Sequence, residues 1–211
     1  MLLFFVTLIF SLPLGLLISF CTGSKIKCVR IFFKLIVWVL RGTPLMLQIF
    51  AIFYVPGLLF GFVWPTVNTG WKWFDTTFST RFIAAAVAFI INYAAYFSEI
   101  FRGGIQSVPR GQYEAAKVLG LNRTQTFFRI ILMQVVKIIL PPVSNEVITL
   151  VKDTSLANVI SVVELIFNAK LQLLNGLIWP IFYAGAFYLA FVGILTVLFG
   201  WAEKKMSYYR M

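Results

Sequence analysis

Long stretches without a charged side chain are the feature that most constrains this chain. Four of them contain no Asp, Glu, Lys or Arg: residues 1–24, 42–71, 82–98 and 171–202. A fifth stretch, residues 138–151, is interrupted by Glu146 alone. A helix needs about 20 mostly apolar residues to cross a bilayer, and only 12% of the chain is charged, against about 25% in soluble domains. The pattern predicts an all-α integral membrane protein with about five transmembrane helices, forming one domain over residues 1–211.

The first apolar stretch has an alternative interpretation, a cleaved signal peptide. Such a peptide carries a basic residue before its apolar core and an A-x-A-like site after it. Residues 1–24 have neither, so we expect them to form the first span.

Basic residues predict how the spans are oriented, because cytoplasmic loops retain Lys and Arg. With five spans and the C-terminus inside, most basic residues fall on the cytoplasmic side: Lys25, Lys27, Arg30, Lys34, Arg41, Arg102, Arg110, Lys117, Arg123, Arg129, Lys137, Lys204, Lys205 and Arg210. The remaining four fall outside: Lys72, Arg81, Lys152 and Lys170. We therefore expect the N-terminus outside and the C-terminus in the cytoplasm. The net charge of +11 is then a topology signal with an attraction to anionic lipid, and it requires no nucleic acid.

The residue types for common catalytic chemistry are missing from the sequence. It contains no histidine, the commonest metal ligand and general base, and its cysteines, Cys21 and Cys28, are too few for a metal cage. It also lacks the G-x-x-x-x-G-K-[ST] loop that cradles nucleotide phosphates. We expect no metal, no bound cofactor and no enzymatic activity in this chain. A lipid-modifying membrane enzyme is a rival interpretation, disfavoured because no carboxylate pair clusters in a predicted cytoplasmic loop.

One long polar segment, residues 102–137, separates two apolar stretches and is predicted to lie in the cytoplasm. The glycine pair 103–104 and Pro109 are expected to break the helix of the preceding span. A short helix should restart near Gln112, and Gly120 then permits a sharp reversal. A helix-turn-helix of this kind can insert into a cleft of a partner protein, although an interfacial hairpin packed on its own protein would show the same spacing.

Small and apolar side chains on the short helix would let a partner surface approach closely. Ala115 and Ala116 form a small face, and Leu119 adds an apolar knob. The residues predicted to contact the partner are Gly111, Gln112, Glu114, Ala115, Ala116, Leu119 and Gly120.

Glu114-Ala115-Ala116, followed by Gly120, resembles the signature of the membrane subunits of ABC importers. Four further blocks narrow the resemblance to the polar amino-acid uptake branch: Arg41-Gly42-Thr43-Pro44, Glu99 through Arg102-Gly103-Gly104, Leu140-Pro141-Pro142, and Lys152-Asp153-Thr154-Ser155-Leu156. Together they extend from residue 41 to about residue 168, and their order and spacing make the resemblance specific. Met133 stands where the family pattern usually has a proline. The resemblance therefore does not extend to the local kink at the entry to the fourth span.

The resemblance implies a fold, partners and a mechanism. The fold is that of a type I ABC importer permease of the bacterial inner membrane, with the segment around Glu114 as a coupling helix. Two ATPase subunits bind ATP and Mg²⁺, a second permease subunit (identical or a close paralogue) completes the pathway, and an extracytoplasmic solute-binding protein delivers a polar amino acid. ATP binding would drive alternating access. A secondary, ion-coupled transporter is the alternative, but such proteins usually show internal repeats.

Polar residues at membrane depth are costly and normally face a cavity or a partner. Asn92 and Tyr96 share one helix face with Glu99, at i, i+4 and i+7. A second polar stripe starts at Asn145, and a broken helix after it would expose backbone groups. The side chains predicted to contact the solute are Asn92, Tyr96, Asn145, Glu146, Asp153 and Ser155.

The charges in this set suit an amino-acid zwitterion. Glu146 and Asp153 would hold the ammonium group, and Lys152 or a helix N-terminus would hold the carboxylate. Because Glu146 has no adjacent basic residue, the expected solute is cationic, such as arginine, lysine or histidine, with glutamine next. Two carboxylates have a structural role as the alternative to binding solute. Glu99 would pair with Arg102, and Asp153 would pair with Lys152.

The block Arg41-Gly42-Thr43-Pro44 is interpreted as a helix start. Thr43 would be the N-cap and Pro44 would lie in the first turn. No solute contact is therefore assigned to this block.

Overall fold

The computed structural model describes residues 1–65 and 79–206, and all regular secondary structure in them is helical. The helices are α1 (Leu2–Thr22), α2 (Lys27–Gly42), α3 (Leu45–Phe60), α4 (Thr80–Ser107), α5 (Arg110–Val118), α6 (Arg123–Thr126), α7 (Leu132–Asp153), α8 (Leu165–Leu174) and α9 (Trp179–Met206). A π-helical turn (Phe127–Ile131) joins α6 to α7, and a 3₁₀ segment (Thr154–Ile160) follows α7. The predicted all-α class is confirmed. Lys72 and Arg210, used in the topology prediction, lie outside the described residues.

Among the described residues, four helical runs are long and apolar enough to cross a membrane: Leu2–Thr22, Thr80–Ser107, Arg123–Ile160 and Trp179–Met206. Helices α2 and α3 meet at an angle of 109° and together can supply a fifth span. The prediction of about five spans agrees with this count. Residues 25–41, expected as a loop, are instead mostly helical, because their basic residues recur at helical spacing beside an apolar face.

Helix α1 packs closely along α4 through small side chains. Its buried residues Thr7, Ser11 and Gly15 recur every four positions and so lie on one face. A Cβ atom on Gly15 would lie 2.8 Å from the Cβ of Phe97 and 3.0 Å from the carbonyl oxygen of Ala94. Small residues permit such close contact between helix backbones in membranes, where packing drives helix association.

Helix α4 runs without a break from Thr80 to Ser107. The predicted break at the glycine pair 103–104 is wrong, because both residues are helical and Gly104 accommodates the side chain of Ile139 on α7. The helix ends where Val108 takes an extended conformation, with ψ 123°, ahead of Pro109. A proline disfavours helical geometry in the residue before it, so Pro109 alone provides the stop.

Helix α5 and its exit follow the predicted hairpin. The helix begins directly after Pro109, and Gly120 adopts a left-handed φ of +71° that glycine tolerates without strain. Asn122 and Gln125 then form a capping box that starts α6. The short helix and the reversal at Gly120 are therefore confirmed. We refer to this part of the bundle, with α5 and the last turns of α4, as the hairpin end.

Candidate functional site

A cavity of about 540 Å³ opens where the α2–α3 corner meets α4 and α7. It is lined by Arg41, Gly42, Thr43, Pro44, Leu45, Asn92, Tyr93, Tyr96, Glu146, Thr149, Asp153 and Leu156. We call it the central cavity. One guanidinium group and two carboxylates converge on it, and charged groups at this depth normally face a pathway or a partner.

The α2–α3 corner is held against α4 by the buried amide of Gln48. Its Nε2 atom donates to the carbonyl oxygen of Leu40 at 2.7 Å and to Thr43 Oγ1 at 2.8 Å. Its Oε1 atom accepts from Asn92 Nδ2 at 3.0 Å. The Asn92 amide therefore positions the corner that carries Arg41, besides lining the cavity. Sequence analysis does not include Gln48, although a polar side chain within the uncharged run 42–71 is the kind of signal that singles out Asn92.

Thr43 does not cap α3 as predicted. Its hydroxyl donates back to the carbonyl oxygen of Val39 at 2.9 Å and so stabilises the end of α2, while Pro44 precedes the first residue of α3. No solute contact is predicted for this block, yet the structure places it beside the predicted solute residues. The four residues of the block line the central cavity, together with Asn92 and Glu146.

Arg41 is the cation of the central cavity. Its guanidinium carbon lies 5.1 Å from the centre of the Tyr96 ring, a cation–π geometry, and its Nη1 atom lies 3.9 Å from Glu99 Oε2. Glu99 is already held by Arg102, which donates to it from Nε at 3.1 Å and from Nη2. The expected Glu99–Arg102 pair is thus confirmed. Lys152, the expected cation, is exposed and does not line the cavity.

Asp153 faces the cavity at the end of α7. Its Oδ2 atom accepts a 2.7 Å hydrogen bond from the Tyr93 hydroxyl, which fixes the carboxylate. The alternative of a pair with Lys152 is wrong for the described residues, where both ion pairs involve Glu99. Regular α-helix ends at Asp153 and 3₁₀ helix begins at Thr154, so the expected break in the helix is present.

Glu146 lines the cavity without a hydrogen-bonding side-chain partner in the part of the chain that the structure describes. It is half-buried, and within residues 1–65 and 79–206 no side chain forms a hydrogen bond or an ion pair with it. A carboxylate held partly out of water without a partner is costly. It is therefore available to a ligand carrying a positive charge.

The structure brings four of the six predicted solute residues together and leaves two apart. Asn92, Tyr96, Glu146 and Asp153 line the central cavity, whereas Asn145 and Ser155 do not. Asn145 is exposed. The Ser155 hydroxyl donates to the carbonyl oxygen of Lys152 at 2.7 Å, so it closes the helix break.

A larger cavity of about 880 Å³ lies at the end of the bundle opposite the hairpin end. It is formed by the starts of α1, α4 and α8. Its carboxylate, Glu164, accepts hydrogen bonds from the backbone of Ile166 and Phe167 at 2.8 and 2.6 Å and so caps α8. The central cavity is smaller, but it alone of the two joins a cation, two carboxylates and two tyrosines. We therefore assign the functional site to the central cavity.

The hairpin presents most of its predicted contact residues outward. Gly111, Glu114, Ala115, Leu119 and Gly120 are exposed, with 73% of Leu119 accessible. Ala116 is fully buried within its own chain, so its assignment to the partner-facing surface is wrong. Gln112 is half-buried, and its side chain accepts a 3.3 Å hydrogen bond from Gln134.

Comparison with known proteins places these features in context. Residues 3–208 match the family described as binding-protein-dependent transport system inner membrane component. The L-cystine transport system permease protein of Bacillus subtilis is 40% identical over 77% of this chain and 62% of its own length. The arginine transport system permease protein of Corynebacterium glutamicum is 36% identical over 82% of this chain and 55% of its own length. The chain thus spans less than two thirds of these two relatives.

A solved structure gives the same architecture. The crystal structure of an amino acid ABC transporter with histidines superposes with a TM-score of 0.81 and 29% sequence identity, over 96% of this chain and 88% of that chain. The bundle described above therefore has the fold of an ABC importer permease, as predicted.

Proposed function

The chain belongs to the family of binding-protein-dependent transport system inner membrane components, and from this premise we propose that it is the permease subunit of an ATP-driven importer for polar amino acids. The observation that carries the proposal is the central cavity, which holds Arg41 together with Glu146 and Asp153. An α-amino acid carries one carboxylate and one ammonium group on the same carbon. A site with opposite charges in one small space is complementary to both.

In this proposal Arg41 binds the solute carboxylate. Guanidinium groups bind carboxylates through two parallel hydrogen bonds, and the link from Arg41 to Glu99 is long, at 3.9 Å, with 44% of the Arg41 side chain accessible. The guanidinium can therefore turn from Glu99 towards a solute while it keeps its contact with Tyr96.

The solute ammonium group is assigned to Glu146 and Asp153. Asp153 is fixed by Tyr93 at 2.7 Å, and Glu146 has no partner among the described residues. Two carboxylates and one guanidinium leave the cavity with one negative charge, which favours a cationic solute such as arginine or lysine over a neutral one such as glutamine. The name of the arginine relative agrees with this order, whereas the cystine relative is named for a solute with no net charge.

The proposal assigns the energy source to other subunits. The chain contains no nucleotide-binding loop of the G-x-x-x-x-G-K-[ST] type, so ATP and Mg²⁺ would bind to partner ATPase subunits that receive the exposed face of α5. A second permease subunit and an extracytoplasmic solute-binding protein complete the assembly. The hairpin end then faces the cytoplasm, with the N-terminus outside. This orientation rests on the distribution of basic residues.

Uptake by the assembled transporter in vesicles tests the proposal. Unlabelled arginine should compete with labelled arginine better than glutamine does, and Glu146→Gln should reduce that preference. Arg41→Lys should retain part of the uptake, and Arg41→Gln should abolish it. Lys152→Gln is the matched control, because this exposed cation does not line the cavity. Unchanged arginine uptake in Arg41→Gln and Glu146→Gln, with normal expression, would contradict the assignment.

A further inference from the structure

A third cavity, of about 480 Å³, lies between α2 and the C-terminal half of α4. Its charged lining residues are Lys34, Arg41, Glu99 and Arg102, and Trp38 forms part of its wall. It shares Arg41 with the central cavity, whereas Lys34 lines only this third cavity. We call it the α2 cavity.

Positive charge dominates the α2 cavity. Three cations surround one carboxylate, and that carboxylate, Glu99, is engaged by Arg102 through two hydrogen bonds. Lys34 takes part in neither of the ion pairs formed by the described residues. Arg41 also faces the carboxylates of the central cavity, so the α2 cavity keeps one uncompensated positive charge, that of Lys34, which an anionic group would neutralise.

An exposed apolar face lies beside these cations. Ile31, Leu35 and Trp38 follow one another at i, i+4 and i+7 on α2 and are 54%, 56% and 72% accessible. Lys27 and Lys34 lie one heptad apart on the adjoining side of the same helix. A basic stripe next to an apolar stripe that contains Trp is typical of helices lying in the membrane interface.

The position of the α2 cavity along α4 matches the edge of the bilayer. Helix α4 has 28 residues and is about 42 Å long, whereas the hydrocarbon core is about 30 Å thick. The uncharged run of α4, residues 82–98, is bounded by Arg81 and Glu99, so we place both ends of α4 in the headgroup region. Arg102 precedes the last residue of α4 by five positions, which places the α2 cavity near the boundary between hydrocarbon and headgroups.

We propose that the α2 cavity binds an anionic phospholipid. The phosphate lies beside Lys34 and Arg102, which line this cavity and not the central one, and the acyl chains lie along the apolar face of α2. The charge of the site favours a lipid over a second copy of this chain, because a second copy would present the same basic stripe. The apolar face beside the cations favours a lipid over free phosphate.

A lipid-binding measurement tests the proposal. The protein is purified in a neutral detergent together with any subunits that copurify with it. Native mass spectrometry would count adducts of phosphatidylglycerol and phosphatidylcholine with identical acyl chains. A basic residue near anionic lipid contributes about 1 kcal/mol, so Lys34→Gln should weaken phosphatidylglycerol binding about fivefold. Lys34→Arg should retain it. Lys25→Gln, which removes an exposed lysine outside the cavity, should bind like the unchanged protein.

Each other outcome overturns the proposal. Equal binding of the two lipids would mean that the cavity does not recognise the anionic headgroup. Equal affinities in Lys34→Gln and Lys25→Gln would mean that binding is a general effect of positive charge. Displacement of the lipid by an equal concentration of inorganic phosphate would indicate a free-phosphate site. A changed oligomeric mass in Lys34→Gln, without loss of adducts, would indicate that α2 contacts a second copy. None of these measurements depends on solute transport.

Discussion

Replacing Gly15 by alanine should push α1 and α4 slightly apart and destabilise the protein. The new Cβ would lie 2.8 Å from the Cβ of Phe97 and 3.0 Å from the carbonyl oxygen of Ala94. Carbon atoms pack best at about 3.5–4.0 Å, so the helices must move apart by close to 1 Å. Neither atom can rotate away, because the Ala94 oxygen belongs to the backbone and the Phe97 Cβ is bonded directly to its own Cα. Overpacking of this kind costs about 1–3 kcal/mol.

A second glycine substitution isolates this cost from helix propensity. Alanine stabilises a helix interior by about 1 kcal/mol relative to glycine, and this gain partly hides the clash at Gly15. Gly193 lies inside α9, where an added Cβ meets nothing within 4 Å. Gly193→Ala therefore receives the same propensity gain without the clash. The difference between the two variants should be about 1–3 kcal/mol, with Gly15→Ala the less stable.

Equilibrium unfolding in mixed micelles measures that difference. The helical circular dichroism signal would be followed as the mole fraction of sodium dodecyl sulfate rises, and the free energies of unfolding would be compared. Equal stabilities for Gly15→Ala and Gly193→Ala would refute the reasoning, since it requires that the α1–α4 contact has no room for one methyl group.

Three further outcomes follow from the site and the hairpin. Tyr93→Phe removes the 2.7 Å hydrogen bond to Asp153, and because hydrogen bonds to charged groups contribute about 1.5–3 kcal/mol, the KM for uptake should rise about tenfold or more while expression holds. Gln48→Leu removes the 2.7 Å donor of the Leu40 carbonyl oxygen and the 3.0 Å acceptor of the Asn92 amide, so micelle unfolding should show a loss of about 1–3 kcal/mol. Gly120→Val forces a β-branched residue into a φ of +71°, and solute-stimulated ATP hydrolysis should fall while solute binding to detergent-purified transporter persists. Gly103→Ala, at a helical position with open space, should leave that hydrolysis unchanged.

Patterns that repeat along the chain were predictable from the sequence. Helical spans follow from uncharged length, and the hairpin follows from the stop at Pro109 and the reversal at Gly120. The shared face of Asn92 and Tyr96 follows from helical spacing alone. These features depend on local physics, and the structure agrees with each of them.

Features that depend on contacts between distant segments were not predictable. Arg41 reaches the central cavity because α2 and α3 meet at 109°, and no local pattern encodes that angle. The glycine pair 103–104 predicts a helix break, but both residues are helical and Gly104 packs closely against Ile139. The burial of Ala116 likewise depends on tertiary packing, since an alanine suits an exposed face and a buried one equally well.

The unbroken course of α4 has a mechanical consequence. Asn92, Tyr96 and Glu99 belong to the same stiff rod whose last residue, Ser107, lies three positions before α5. Because α4 has no break between Thr80 and Ser107, a displacement that reaches its C-terminal end would tilt or slide the wall of the central cavity by a comparable amount. Because the Asn92 amide donates to Gln48, the same displacement would also move the α2–α3 corner that bears Arg41. Opening the cavity and repositioning its guanidinium would then be one motion.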